Sequence, residues 1–125
     1  MGNSRIKLWL CEDQKVIARY AVAHQYSANI LMSGLPPEFY HHVDFVGVSS
    51  VLADKINREL ESLCLLLWSC MPHFAHTDFS TLGIQCAYAD PSLLGVDRWL
   101  NILAVSHHQP VCVVSCGTAL TIDVV

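Results

Sequence analysis

A chain of 125 residues is one domain or part of one, and at 53% hydrophobic and 14% charged it falls outside the range of disordered proteins. Seven Lys plus Arg against eleven Asp plus Glu give a net charge of −4, with no basic cluster, so nucleic acid and anionic membrane are not expected partners. So apolar a composition leads us to expect apolar area covered by a partner or by further chain. The longest apolar run, Leu63 to Trp68, is far shorter than the roughly 18 residues of a membrane span. Glu12 and Asp13 interrupt the first apolar stretch, against a signal peptide. The six cysteines lie in apolar stretches without a Cys-x-x-Cys, which reads as reduced cytoplasmic thiols.

In chain order, Arg5 to Leu10 alternates polar and apolar as a half-buried strand, and Val16 to Val22 returns after a turn at residues 11–14. Ser27 to Ser33 reads as a short helix stopped by Gly34 and Pro36-Pro37, and Val43 to Val48 as a buried strand. Ser50 is the expected N-cap of an amphipathic helix carrying Leu52, Ile56, Leu60, Leu63 and Leu67. Asp90-Pro91 is the expected start of the next helix, with Val96, Leu100, Leu103 and Ala104 as its buried stripe, broken by Pro110. Val111 to Val114 and Ala119 to Val125 read as strands joined at Cys116-Gly117, the second alternating Leu120, Ile122 and Val124 with Thr121 and Asp123. The chain stops mid-strand at Val124-Val125, which raises the expectation that it belongs to something longer. The tryptophans Trp9, Trp68 and Trp99 are expected to anchor a core or an interface. Cys70, His73 and His76 are ligand-type residues at close spacing. They lack a fourth partner at motif spacing, and Pro72 interrupts them, so no metal is assigned there.

Three glycine-centred polar clusters carry chemistry: Gly2-Asn3-Ser4, Gly95-Val96-Asp97-Arg98 and Gly117-Thr118-Ala119-Leu120-Thr121. A glycine beside Ser or Thr at a turn lets backbone N–H groups and a hydroxyl approach a phosphate with no Cβ in the way. Each cluster singly reads as a simple turn or a first-turn acid; their combination reads as a nucleotide cradle beside an acid–base pair.

Gly2-Asn3-Ser4-Arg5-Ile6-Lys7, Tyr88-x-x-Pro91-x-x-x-Gly95-Val96-Asp97-Arg98-Trp99 and Ser115-Cys116-Gly117-Thr118-Ala119-Leu120-Thr121-Ile122-Asp123 resemble, in this order, three motifs of type III pantothenate kinases. The chain would correspond to about the N-terminal half of such an enzyme. The resemblance implies an α/β fold, a ribonuclease-H-like domain of the acetate and sugar kinase, Hsp70 and actin superfamily. It would have a mixed sheet with flanking helices, be truncated at both ends, and lack the first-strand aspartate. Residues 1–110 would form the first domain, without its first strand, and 111–125 the opening strands of a second. The implied activity is transfer of the ATP γ-phosphoryl group to pantothenate, giving 4'-phosphopantothenate, the first step of coenzyme A biosynthesis. The 125 residues alone are not expected to complete that site. A non-catalytic remnant or accessory-factor-like protein of the same fold, and a superfamily kinase with another small acceptor, are the alternatives.

By position, Asp97 matches the catalytic aspartate, and Tyr88, Gly95, Val96, Asp97 and Arg98 match the pantothenate contacts. Gly2, Asn3, Ser4, Arg5, Ile6, Lys7 and Thr118 match the ATP contacts. Ser115 stands where the family has an aspartate that binds a monovalent cation. The resemblance further implies ATP with Mg2+, K+ or NH4+ as monovalent cation, a homodimer, and a cytoplasmic location. A carboxylate of pKa near ~4 is too weak a base to ionise an alcohol in advance, but it can orient the hydroxyl and take the proton late. A planar guanidinium suits a carboxylate or phosphate.

Overall fold

The computed structural model describes residues 1–125 except Asn3, Thr81, Leu82 and Gln109. The chain forms two compact units, Met1–Phe74 and Ala75–Val125.

In the first unit, β1 (Arg5–Glu12) and β2 (Lys15–Ala23) make an antiparallel hairpin. Its two-residue turn places Asp13 and Gln14 at φ 46° and 65°, the left-handed pair whose twist matches that of the strands. One face buries Ile6, with Leu8, Leu10, Tyr20 and Val22 packed beside it, while Trp9 stands on the other at 62% exposure. Of the three tryptophans expected as anchors, Trp68 and Trp99 are buried and Trp9 is not.

The helix after Ser27 is of the 3-10 type, Ala28–Ser33. Its start is held from outside: Glu59 accepts from Ser27 Oγ at 2.8 Å and from Ala28 N–H at 3.0 Å. The strand expected over 43–48 is shorter, β3 (Val46–Val48), and it pairs in parallel with β4 (Pro72–Phe74), a strand missed in the sequence because it has only three residues. Between them runs α1 (Asp54–Trp68), as a parallel connection requires. Its first flanking residue is Ala53 rather than Ser50. Ser50 instead accepts from Leu52 N–H at 3.2 Å and donates to Asn57 Oδ1 at 2.7 Å, bracing the loop before the helix. Ile56, Leu60, Leu63, Cys64 and Trp68 form the buried stripe, packed with Ile6, Ala28, Leu31, Leu35 and Phe39. Trp68 Nε1 donates to the Phe39 carbonyl at 2.5 Å, which pairs both polar groups in an apolar surrounding.

In the second unit, Asp90 caps a short 3-10 helix, Pro91–Leu93, through Ser92 N–H at 3.0 Å. The α-helix proper, α2 (Val96–Val105), starts later, after Gly95. Its buried side is Val96, Trp99 and Ile102, not the stripe through Leu100 and Ala104, both of which are exposed. Trp99 decides the rotation: it is the largest apolar side chain of the helix, and its ring rests on Phe79 at 4.4 Å. β5 (Cys112–Cys116) and β6 (Leu120–Val124) pair antiparallel, with Val113 opposite Asp123 and Ser115 opposite Thr121. The β6 alternation is present but inverted relative to an apolar interior. Asp123 is buried, whereas Leu120, Ile122 and Val124 are 65%, 60% and 80% exposed.

Among the described residues the strands pair two by two in three small sheets, β1–β2, β3–β4 and β5–β6, instead of the single mixed sheet expected. Hairpins β1–β2 and β5–β6 satisfy their inner edges locally, and β3–β4 is limited to three paired positions. Within the second unit, the β5–β6 hairpin takes its packing partners from α2.

Candidate functional site

The most connected polar cluster lies in the second unit, where α2 faces the inner side of β5–β6. Arg98 is its centre. Its Nε donates to Asp123 Oδ2 at 3.2 Å, its Nη2 to Asp123 Oδ1, and its Nη1 to the Tyr88 hydroxyl at 2.8 Å. The guanidinium carbon also stands 5.8 Å from the Tyr88 ring centroid. The hydrogen bonds to Asp123 first, and to Tyr88 next, hold the Arg98 pKa above its ordinary value against desolvation. Tyr88, Arg98 and Asp123 share a cavity of about 130 Å³ with Leu94 and Ile102. Pockets for whole drug-sized ligands run to roughly 300–1,000 Å³, so this one has room for the polar end of a small molecule.

Asp97 sits in the first turn of α2, exposed, with Oδ1 accepting from Arg98 N–H at 2.9 Å. An acid there is favoured by the helix dipole. It neighbours the cavity through Arg98 without lining it. Gly95 flanks the helix start, and its carbonyl accepts from Trp99 N–H at 3.1 Å; the Val96 side chain is buried. Of the five residues matched to the acceptor, Tyr88 and Arg98 are therefore joined by a side-chain bond, Asp97 is adjacent, and Gly95 and Val96 offer backbone.

Thr118 lies in the β5–β6 turn, closed by Gly117 N–H to the Ala119 carbonyl at 3.0 Å. The other residues matched to ATP belong to the first unit. Gly2 lies in open space, where an added Cβ would meet nothing within 4 Å, so its backbone can be approached by a ligand. Arg5 and Lys7 project from the outer face of β1, while the Ile6 side chain is 1% exposed and serves the core, so only its backbone could touch a nucleotide. Asn3 lies outside the described residues.

Ser115 Oγ accepts from Asn101 Nδ2 at 3.0 Å. Two neutral groups therefore occupy the position matched to the cation-binding aspartate, and this donor set does not fit a site that relies on carboxylate charge. Among the described residues, no three His, Cys, Asp or Glu side chains are grouped to hold a metal. Mg2+ carried by a nucleotide is bound largely by phosphates and water, and needs no such cage.

Asp123 and Asn101 were given no role from sequence. The signal for Asp123 was the polar set of the β6 alternation, which a reading of apolar residues as the inner face assigns to solvent. Asn101 follows Asp97 by four positions on α2, one turn along the same face.

The fold of the second unit and its arginine-centred pocket fit a protein that recognises a small polar or anionic ligand. The chain belongs to the type III pantothenate kinase family, whose model matches residues 1–125. It is 40% identical to a type III pantothenate kinase of Acinetobacter baumannii over 98% of this chain and 51% of the relative. The corresponding protein of Acinetobacter baylyi is 41% identical over all of this chain and 52% of its own length. That of Psychrobacter cryohalolentis is 37% identical over the same shares. The chain thus spans about half the length of the curated relatives it matches. No helix among the described residues is long and apolar enough to cross a membrane.

Proposed function

We propose that this chain contributes the acceptor-binding side of an ATP-dependent pantothenate kinase, forming 4'-phosphopantothenate at the start of coenzyme A synthesis. The observation that carries the reading is the bond between Tyr88 and Arg98 beside Asp97. Two residues matched to the acceptor, Tyr88 and Arg98, ten positions apart in the chain, line one small cavity, and a third, Asp97, adjoins it through Arg98. The ribonuclease-H-like superfamily fold, with residues 1–110 and 111–125 in successive domains, belongs to the same proposal. So do the homodimer and the cytoplasmic location.

In this reading Arg98 and Tyr88 fix the acceptor, with the guanidinium taking an anionic or carbonyl oxygen and the phenol a second polar group. Asp97 has one carboxylate oxygen committed to the Arg98 N–H, which leaves the other for the acceptor hydroxyl. As the hydroxyl oxygen bonds to the γ-phosphorus, the bond from that phosphorus to the ADP oxygen breaks and Asp97 receives the proton late. Most of the acceleration in phosphoryl transfer comes from alignment and charge neutralisation, so holding the nucleophile in line is the larger part of the role of Asp97. Gly2, Ser4 and Lys7 would approach the ATP phosphates through N–H, hydroxyl and ammonium groups. No step is routed through a monovalent cation.

The test is calorimetric titration of the protein with pantothenate, with glycerol and a short hydroxy acid as controls. Selective binding of pantothenate that Arg98→Ala abolishes supports the reading. Equal or absent binding of all three favours a non-catalytic protein of the same fold or another acceptor.

A further inference from the structure

The buried carboxylate of Asp123 is not explained by packing. β6 turns Leu120, Ile122 and Val124 outward and Asp123 inward, the reverse of what burial of apolar area favours. The inward carboxylate meets Arg98 with both oxygens, the fork-to-fork geometry that fixes a guanidinium in plane as well as in place. Arginine has five N–H bonds. Two go to Asp123 and one to Tyr88, so one on each terminal nitrogen remains for a ligand.

We propose that Asp123 is a positioning residue for acceptor recognition, which locks the Arg98 guanidinium so that its two remaining donors are presented as a fixed pair. The proposal rests on the reading that Arg98 contacts the acceptor. Without Asp123, the guanidinium keeps its charge and its Tyr88 partner but can rotate about its long side chain. The acceptor must then order it on binding. Asp123 acts through Arg98 and touches no reacting atom.

The experiment compares the 125-residue chain with its Asp123→Asn and Asp123→Glu variants. Two readouts are taken: the 15N NMR signal of Arg98 Nε–H without ligand, and pantothenate affinity by titration. β5–β6 amide shifts report the fold. We expect a slowly exchanging Arg98 Nε–H in the wild-type protein. In Asp123→Asn that signal should be lost and affinity weakened at least about tenfold, with the hairpin shifts preserved. Asp123→Glu keeps the charge and moves it by one methylene. It should weaken binding likewise, and it decides the matter if Asp123→Asn fails to fold.

Unchanged affinity in a folded variant overturns the proposal, as does a freely exchanging Arg98 Nε–H in the wild-type protein. If the wild-type chain binds no pantothenate, the kinase reading fails. Restraint of Arg98 is then judged on its Nε–H signal alone: loss of a slow signal on Asp123→Asn supports the locking role, and persistence overturns it.

Discussion

Asn101 Nδ2 donates to Ser115 Oγ at 3.0 Å, tying α2 to β5 with two neutral groups. A hydroxyl whose lone pairs are shared with an amide supplies no charge to a cation. We therefore expect the thermal midpoint to agree within about 1 °C in potassium, sodium and choline chlorides at equal ionic strength, a few tenths of a kcal/mol for a chain of this size. Ser115→Asp should introduce a preference for K+. A potassium-specific rise in the wild-type midpoint would contradict this.

Asp97 is exposed and, among the described residues, hydrogen-bonded to the backbone of its own first turn, so replacing it should leave the fold intact. In protein that supports turnover, Asp97→Asn should lower the rate roughly 10²- to 10⁴-fold while pantothenate affinity changes little. A rate within a factor of two of wild type removes Asp97 from the mechanism.

Cys64 is fully buried on α1, and burial first, then Cys70 and Glu61, raises its thiol pKa to about 11. At pH 7–8 it is almost entirely protonated and shielded. Cys11, Cys112 and Cys116 are exposed. Alkylation followed by peptide mass mapping should label those three quickly and Cys64 only after unfolding.

Glu59 accepts from Ser27 Oγ and Ala28 N–H, and these bonds, with Lys55 nearby, hold its pKa below 4.5. A depressed folded-state value means that the ionised carboxylate stabilises the fold above the unfolded value. That contribution is lost as pH falls through the lower folded one. Acid titrations of the wild type and of Glu59→Gln should therefore begin to draw together as pH falls below the ordinary carboxylate value and meet only below the depressed folded-state one, with the wild type more stable above that. Parallel curves throughout would show that the Glu59 cap contributes nothing.

Most elements of this chain were legible where one local signal dominated. The Leu-rich four-and-three spacing marks α1, and the alternation of Arg5 to Leu10 marks β1. The errors came where two signals competed. Ser50 has the chemistry of a cap but spends its hydroxyl on Leu52 and Asn57. Asp90 caps a helix, but a 3-10 turn that ends before α2 begins. Trp99 overrides the aliphatic spacing of α2 because of its larger burial. Tyr88, Asp97 and Arg98 take roles from their motif, whereas Asp123 closes the third motif without one, and its role depends on which face of β6 turns inward. An alternating strand does not reveal that by itself.

The most direct measurement is a 1H–15N correlation spectrum of the protein titrated with pantothenate. The account predicts that the largest shifts cluster at Tyr88, Asp97, Arg98 and Asp123, with the hydrophobic residues of α1 unmoved. Saturable shifts centred elsewhere in the chain, or none at millimolar pantothenate, would contradict it.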